Sequence, residues 1–212
     1  MKRLISAIAL STLAFTSAFA APINGLYNTG AGASGTIDEH YGLLVMQGQE
    51  SSNQAWISDD SQVRSQWLAN DSASKWITPY PDASSSLDPV SDGAYLYMFD
   101  FNLSAEQVNG ASFSARVAAD NEVDVYLNAE YLGKSTSFDR WTNLSATRGF
   151  VTGVNALRFV VTNFAQTDGN PSGLRFEFTG SNAGVVPEPQ TYAMLLGGLA
   201  LLGGVARRKS RV

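Results

Sequence analysis

Hydrophobic and polar residues alternate one by one through much of the chain between residues 95 and 179. In the first such segment, hydrophobic side chains take every second position from Tyr95 to Leu103, while Asp100 and Asn102 lie between them. A period of two places successive side chains on opposite faces of an extended strand. The same alternation recurs at 112–117, 122–127, 157–162 and 174–179, so we predict five half-buried antiparallel strands.

Weaker patterns predict further strands earlier in the chain, at Tyr41–Gln47, Gln54–Ser58 and Lys75–Thr78. Residues 79–92 are rich in proline, serine and aspartate, which favours a long loop. No helix longer than a turn or two is expected between the termini. The pattern therefore predicts an all-β fold, a single antiparallel β-sandwich or jelly roll over residues 21–181, flanked by a hydrophobic helix at each end.

The first 20 residues have the organisation of a secretory signal peptide. Lys2 and Arg3 precede a 12-residue apolar run, and a small-x-small site ends at Ala20. Cleavage is expected between Ala20 and Ala21. A permanent N-terminal anchor is the alternative, but the run is short for about 30 Å of hydrocarbon.

The C-terminal end is a second apolar segment that stops at a basic cluster. A short, glycine-containing membrane helix is expected at about residues 190–206, after a linker at 182–186. A buried helix of the globular domain is the alternative, although the segment has no polar face. The positive residues that would hold the end in the cytoplasm are Arg207, Arg208, Lys209 and Arg211.

The order of features in residues 187–212 resembles a PEP-CTERM sorting signal. Pro187, Glu188 and Pro189 come first, then the weak hydrophobic helix, then the basic cluster. The resemblance implies transient recognition by an exosortase that cuts near these three residues. It also implies anchoring in the inner membrane before cleavage, then release to the cell surface or to an extracellular matrix that contains exopolysaccharide.

Charge separates the middle of the chain from its ends. Residues 22–186 contain eight basic and 18 acidic side chains, a net charge of −10, whereas both terminal segments are basic. An acidic domain is a poor partner for nucleic acid. The absence of cysteine excludes disulfides and thiolate metal sites.

The middle of the chain also resembles galactose-binding-like β-sandwich modules. The resemblance rests on segments such as Asp38-Glu39-His40-Tyr41, the run from Ala119 to Asn128, and Asn170 to Arg175. Such modules often have Asn-Gly in the hairpin that follows the Asp-Asn strand. Here Ala129 and Glu130 follow Asn128, so a tight two-residue turn is not expected there.

Catalysis has little support in the sequence. His40 could serve as a base beside a carboxylate, but no Gly-x-Ser-x-Gly elbow accompanies it, and a hydrogen-bonded structural histidine is favoured. Paired carboxylates such as Asp59 and Asp60 could act on a glycoside only if the fold set them across a cleft. We therefore expect no enzyme.

The sequence supports binding sites better than it supports catalysis. No cofactor is certain, but calcium, which takes several oxygen ligands, is possible. Its candidate ligands are Asp38, Glu39, Asp59, Asp60, Asp120 and Glu122. The residues favoured for a ligand or ion are Asp120, Asn121, Glu122 and Trp141. Trp56, Trp67, Trp76 and Trp141 could stack on sugars, although core packing is favoured for Trp67 and Trp76.

The leading expectation is an exported, non-enzymatic protein of the cell surface or extracellular matrix, associated with exopolysaccharide. The alternative is a carbohydrate-binding module that recognises exopolysaccharide, and an enzyme acting on polysaccharide is a distant third.

Overall fold

Ten strands and one short helix occupy the middle of the chain in the computed structural model. They are β1 (Ile37–Gln47), β2 (Gln54–Ile57), β3 (Ile77–Thr78), β4 (Gly93–Leu103), α1 (Ala105–Val108), β5 (Ser112–Asp120), β6 (Glu122–Leu127), β7 (Glu130–Ser135), β8 (Thr142–Ala146), β9 (Gly153–Asn163) and β10 (Gly173–Asn182). The structure describes residues 21–49, 51, 53–184, 195–202 and 207. The described residues from 21 to 184 belong to one compact unit.

All ten strands join in the order β7-β6-β9-β4-β1-β2-β3-β10-β5-β8, and every pair is antiparallel. The sheet folds over at the short strands β2 and β3. Strand β10 consequently faces β9 and β4, where Phe176 lies 4.8 Å from Phe159 and Phe178 lies 6.0 Å from Phe99 between ring centroids. Two layers thus face each other across one core, which confirms the predicted antiparallel β-sandwich.

The core consists of the alternate residues that the sequence pattern assigned to one face. Along β4 the buried side chains are Tyr95, Tyr97, Phe99, Phe101 and Leu103, and every one of them is at most 3% exposed. β9 contributes Leu157, Phe159 and Val161 in the same way. The alternation arises because each strand has the opposite layer on one side only.

Strand β10 departs from this pattern because both of its faces are buried. Its outward residues Arg175 and Glu177 are only 1% and 7% exposed. The segment between β2 and β3 covers them, and it brings Trp67 and Trp76 against Ala118 of β5 in a second apolar cluster. The prediction of a half-buried strand is therefore wrong for β10.

All eight strands that the sequence predicted are present, although β3 contains only two residues. The pattern missed β7 and β8, which hold few alternating hydrophobic residues. Residues 79–92 form the expected loop.

The turn between β6 and β7 is tight, although the missing Asn-Gly pair argued against such a turn. The connection is two residues, and Leu127 pairs directly with Glu130. Asn128 adopts a φ of 53°, a left-handed conformation that asparagine tolerates better than most residues. Its side chain donates to the Gly149 carbonyl and accepts from the Ala156 amide, so it fixes the turn without the usual glycine.

The domain boundary also lies further along than the predicted 181. Strand β10 continues to Asn182. The Ala183 amide then donates to the Ala21 carbonyl and the Gly184 amide to the Gln107 carbonyl, both at 2.6 Å. Residues 182–184 are therefore part of the domain and not of a linker, because backbone hydrogen bonds hold them to it.

Residues 195–202 of the C-terminal segment are helical. Among the described residues, no helix has the length and apolar character needed to cross a membrane. The predicted membrane helix at 190–206 lies largely outside the described residues, as do the signal peptide at 1–20 and the Pro187-Glu188-Pro189 motif.

Candidate functional site

Asp120, the first of the predicted ligand residues, is buried at the end of β5. Its carboxylate accepts a hydrogen bond of 2.8 Å from the indole nitrogen of Trp67. Burial raises the pKa of Asp120 to about 6, although the Trp67 hydrogen bond and the charge of Arg64 lower it. This carboxylate therefore joins the covering segment to the sheet and does not face an open cleft.

Asn121 and Glu122 also have structural partners. The Asn121 side chain accepts from the Phe164 amide at 2.6 Å, which ties the crossing from β5 to β6 to the end of β9. Glu122 forms a 2.8 Å ion pair with Lys134 on the neighbouring strand β7. Neither residue shares a ligand-binding arrangement with Asp120.

Trp141 lies just before β8, against the outward face of β5 and β10. The guanidinium carbons of Arg116 and Arg175 lie 4.5 and 4.9 Å from its ring centre, which is the geometry of a cation–π contact. Burial lowers the pKa of Arg175, and the charges of Asp71 and Glu177 oppose that change. Trp141 is thus part of the partly buried cluster that contains Trp67 and Trp76, two side chains that are too buried to stack on a sugar.

His40 lies on β1, beside the N-terminal segment of the domain. Its ring stacks on Tyr27 with a centroid distance of 3.6 Å and an interplanar angle of 5°. The Asp38 carboxylate accepts from the backbone amides of His40 and Gly30, not from the imidazole. This carboxylate therefore does not orient His40 as a base.

Two further candidate calcium ligands, Asp59 and Asp60, also have local partners. Asp59 accepts from Ser61, and Asp60 accepts from Asn70. Within the described parts of the chain, no three histidine or carboxylate side chains gather in a way that could hold a metal ion. Calcium binding stays a prediction without a defined site.

The outward face of the layer β7-β6-β9-β4-β1 is the most promising binding surface. Strand pairing aligns its residues in rows, one of which runs from Gly42 through Met98 and Arg158 to Tyr126 and Tyr131. Five strands at about 4.8 Å spacing make this row about 19 Å long. We call this surface the outer platform and define it by Tyr27, His40, Met98, Asp100, Arg158, Tyr126 and Tyr131.

Aromatic rings lie at both ends of the outer platform. The Tyr27–His40 stack is at the β1 end, and Tyr126 and Tyr131 lie 5.3 Å apart at the β7 end. Tyr27 and Tyr131 are 44% and 51% exposed, so ring surface is available to a ligand. Such rings bind apolar faces of ligands and also carry polar groups at their tips.

A shallow cavity of about 420 Å³ lies at the Tyr27–His40 end of the platform, and its lining also includes Met98, Asp100 and Arg158. Arg158 donates to Asp100 at 2.6 Å, so a charged pair occupies the centre of the platform. The sequence reasoning missed this site. The sequence does contain a sign of this site: the outward positions of three strands hold the large side chains Met98, Tyr126 and Arg158.

A second, larger cleft of about 770 Å³ lies between the N-terminal segment and the end of β10. Its lining includes Leu26, Tyr27, Lys75 and Phe178, and Tyr27 is shared with the outer platform. The Lys75 ammonium donates to the Gly32 carbonyl at 3.0 Å. None of the sequence-predicted site residues lines this cleft.

The C-terminal segment matches a known family of sorting motifs. Residues 185–211 match the family model of the PEP-CTERM protein-sorting motif. The chain therefore carries a sorting motif where the sequence resemblance placed it, and the motif includes Pro187, Glu188 and Pro189.

Solved structures that resemble the domain include several carbohydrate-binding modules. A family 29 mutant complexed with cellulohexaose is 10% identical, with a TM-score of 0.30 over 69% of this chain and 93% of that one. A family 35 module from an environmental isolate is 11% identical, with a TM-score of 0.32 over 76% and 100%. A family 11 module from Clostridium thermocellum is 6% identical, with a TM-score of 0.32 over 77% and 99%. Among curated protein sequences, none matches this chain.

Proposed function

We propose that this chain is an exported, non-catalytic protein that an exosortase releases from the inner membrane to the cell surface or extracellular matrix. The observation that carries the proposal is the sorting motif at residues 185–211. The small-x-small site before Ala21 supports export, because it ends a stretch with the pattern of a secretory signal peptide.

The tail has the properties that transient anchoring requires. The expected cleavage region contains Pro187 and Pro189, and proline fixes its own φ and disfavours helix in the preceding residue. The apolar run after them is short and contains two Gly-Gly pairs, and Arg207 and Arg208 follow it. A segment of this kind holds a chain in a membrane more weakly than a full-length span does.

Replacement of Pro187, Glu188 and Pro189 by alanine tests the sorting proposal in the native host. We expect the full-length variant to accumulate in the inner-membrane fraction, while the wild-type domain is recovered at the surface or in the medium. A Gln190→Ala, Thr191→Ala variant, altered just beyond the three residues, is the matched control. Normal release of the triple variant would contradict the proposal.

A second proposed function is glycan binding by the outer platform. Its support is the arrangement of exposed aromatic rings at both ends of a charged, hydrogen-bonding centre. Sugar rings present apolar faces and hydroxyl edges, and aromatic faces with nearby polar side chains complement both. An exported protein with such a platform would be retained in the matrix by its polysaccharide.

Affinity electrophoresis of the mature chain in gels containing polysaccharide tests this function. Retardation should weaken in Tyr27→Ala and Tyr126→Ala. Phe164→Ala is the control, because Phe164 is 47% exposed and lies outside the outer platform. Equal retardation of all three variants would place the binding surface elsewhere.

A further inference from the structure

We propose that the outer platform selects an uncharged, extended polysaccharide and rejects polyuronates. This inference rests on the proposed glycan-binding function and adds the class of polymer to it. The charges on the platform, their pairing and the position of the aromatic rings carry it.

The two cations on this face are neutralised by carboxylates of the protein. Arg158 pairs with Asp100 at 2.6 Å, and Lys134 lies 2.8 Å from Glu122 and 3.6 Å from Asp124. A polyuronate would have to displace these carboxylates to reach either cation. Displacement exchanges one ion pair for another, so it brings little net attraction.

The surrounding field disfavours a polyanion as well. Glu39 adds a further carboxylate to the cavity lining, and the domain has ten more acidic than basic side chains. Repulsion between like charges lowers the rate of encounter and the affinity, most strongly at low salt.

The same charged pair suits neutral sugars. The Arg158 guanidinium supplies donors and the Asp100 carboxylate supplies acceptors, side by side in the middle of the platform. Neighbouring hydroxyls of a neutral sugar can accept from the first and donate to the second without breaking the pair. Hydrogen bonds that involve a charged partner are the stronger kind.

The placement of the rings favours an extended chain over a single sugar. His40 on β1 carries the stacked Tyr27 ring, and Tyr126 and Tyr131 lie on β6 and β7, toward the other end of a row about 19 Å long. Gly42 and Met98 lie next to the charged pair in the cavity lining and offer uncharged surface there. A ligand that contacts both aromatic ends must span this distance.

The test compares three kinds of polymer by affinity electrophoresis of the mature chain: hydroxyethylcellulose, glucomannan and dextran as neutral polymers, alginate as a polyuronate, and chitosan as a polyamine. We expect retardation by at least one neutral polymer and none by alginate at low salt. Tyr126→Ala should weaken the neutral interaction about tenfold, as removal of an aromatic anchor does. Phe164→Ala should leave it unchanged.

A charge variant tests whether the Arg158–Asp100 pair causes the rejection of polyuronates. Asp100→Asn removes the carboxylate that pairs with Arg158, so we expect this variant to gain retardation by alginate, and the gain to disappear in 0.5 M salt, a concentration of the order at which surface charges are strongly screened. Asp139→Asn is the control, because it breaks an exposed ion pair with Arg140 outside the platform. Circular dichroism confirms that each variant is folded.

The outcomes separate the two levels of the proposal. Binding to alginate or chitosan in preference to every neutral polymer would overturn the polymer class and leave glycan binding intact. Failure to bind any of the polymers would overturn glycan binding itself. Retardation by alginate that Asp100→Asn leaves unchanged would refute the role of the Arg158–Asp100 pair.

Discussion

The indole nitrogen of Trp67 donates a 2.8 Å hydrogen bond to the carboxylate of Asp120, 53 residues further along the chain. Both side chains are at most 6% exposed. The bond joins the segment that covers the outer face of β10 to the last residue of β5. It also satisfies a buried indole N–H and one oxygen of a buried carboxylate, groups that are costly to leave unpaired.

This burial predicts a pH dependence of stability. Asp120 has a pKa of about 6 in the folded protein, about two pH units above that of an exposed aspartate. The folded state therefore holds this proton more tightly than the unfolded state. The contribution of Asp120 to the free energy of unfolding should be largest below pH 4 and should fall by about 3 kcal/mol as the pH rises through 6.

Asp120→Asn isolates the effect, because the asparagine carbonyl can still accept from Trp67 but carries no titratable proton. Urea unfolding between pH 4 and pH 8 should show that the difference in stability between wild type and variant changes over the range 4–6. A difference that is constant with pH would mean that Asp120 does not titrate in this range.

The buried contacts of Arg175 lead to a second prediction about stability, which concerns a mutation and not pH. Its side chain is 1% exposed, donates to Ser74 at 2.9 Å and to the Ala69 carbonyl, and forms a 2.9 Å ion pair with Asp71. Arg175→Met keeps much of the volume but removes every donor. We expect a loss of about 3 kcal/mol in the free energy of unfolding, the range for a buried network that loses a charged member.

Arg148→Met is the matched control for Arg175. Arg148 is 80% exposed and pairs with Glu130 at the surface, where an ion pair contributes at most about 1 kcal/mol. Chemical denaturation of the two variants measures the contrast. Similar losses in both would show that the covering segment is not fixed by the Arg175 contacts.

The alternation of residue types was enough to predict most of the sandwich, because each layer has a core on one side. It failed where other forces decide. In β7, Gly133 and Lys134 interrupt the alternation, so the strand is specified by its pairing with β6 and not by its own pattern. The double burial of β10 depends on a segment about 100 residues away, which a local pattern does not contain.

The candidate site was harder to predict than the fold. Asp100 and Arg158 lie 58 residues apart, and Tyr27 reaches His40 from outside the regular strands. Only the order β6-β9-β4-β1 brings these groups onto one face. The acidic residues were chosen as candidates because carboxylates bind ions and ligands. In the structure most of them instead form local hydrogen bonds or ion pairs at turns and strand ends. The sorting motif was the exception, because its signal is linear.

The β6–β7 turn allows a direct test of how asparagine replaces glycine. Asn128→Gly keeps the left-handed conformation but loses the bonds to Gly149 and Ala156. Asn128→Ala loses the bonds and adds the cost of a left-handed alanine, about 1 kcal/mol. Urea midpoints should therefore fall in the order wild type, glycine, alanine. Equal midpoints for the two variants would contradict a conformational role.

The last prediction concerns the end of the β domain, where Gly184 packs against α1. A Cβ on Gly184 would lie inside contact distance of the Asn109 carbonyl oxygen and 2.5 Å from that of Glu106. These are backbone atoms, so they cannot move aside as a flexible side chain would. Gly184→Ala should therefore release the end of the domain from the helix.

Hydrogen exchange measures this release at the amides of Ala183 and Gly184, which donate to Ala21 and Gln107 in the wild type. Both amides should lose protection in Gly184→Ala, while amides of the central strands keep theirs, because local opening need not unfold the core. Gly180→Ala is the control, since a Cβ there meets nothing within 4 Å. If the amides of residues 183 and 184 stayed protected from exchange in Gly184→Ala, contacts other than the packing of Gly184 against α1 would have to hold this segment.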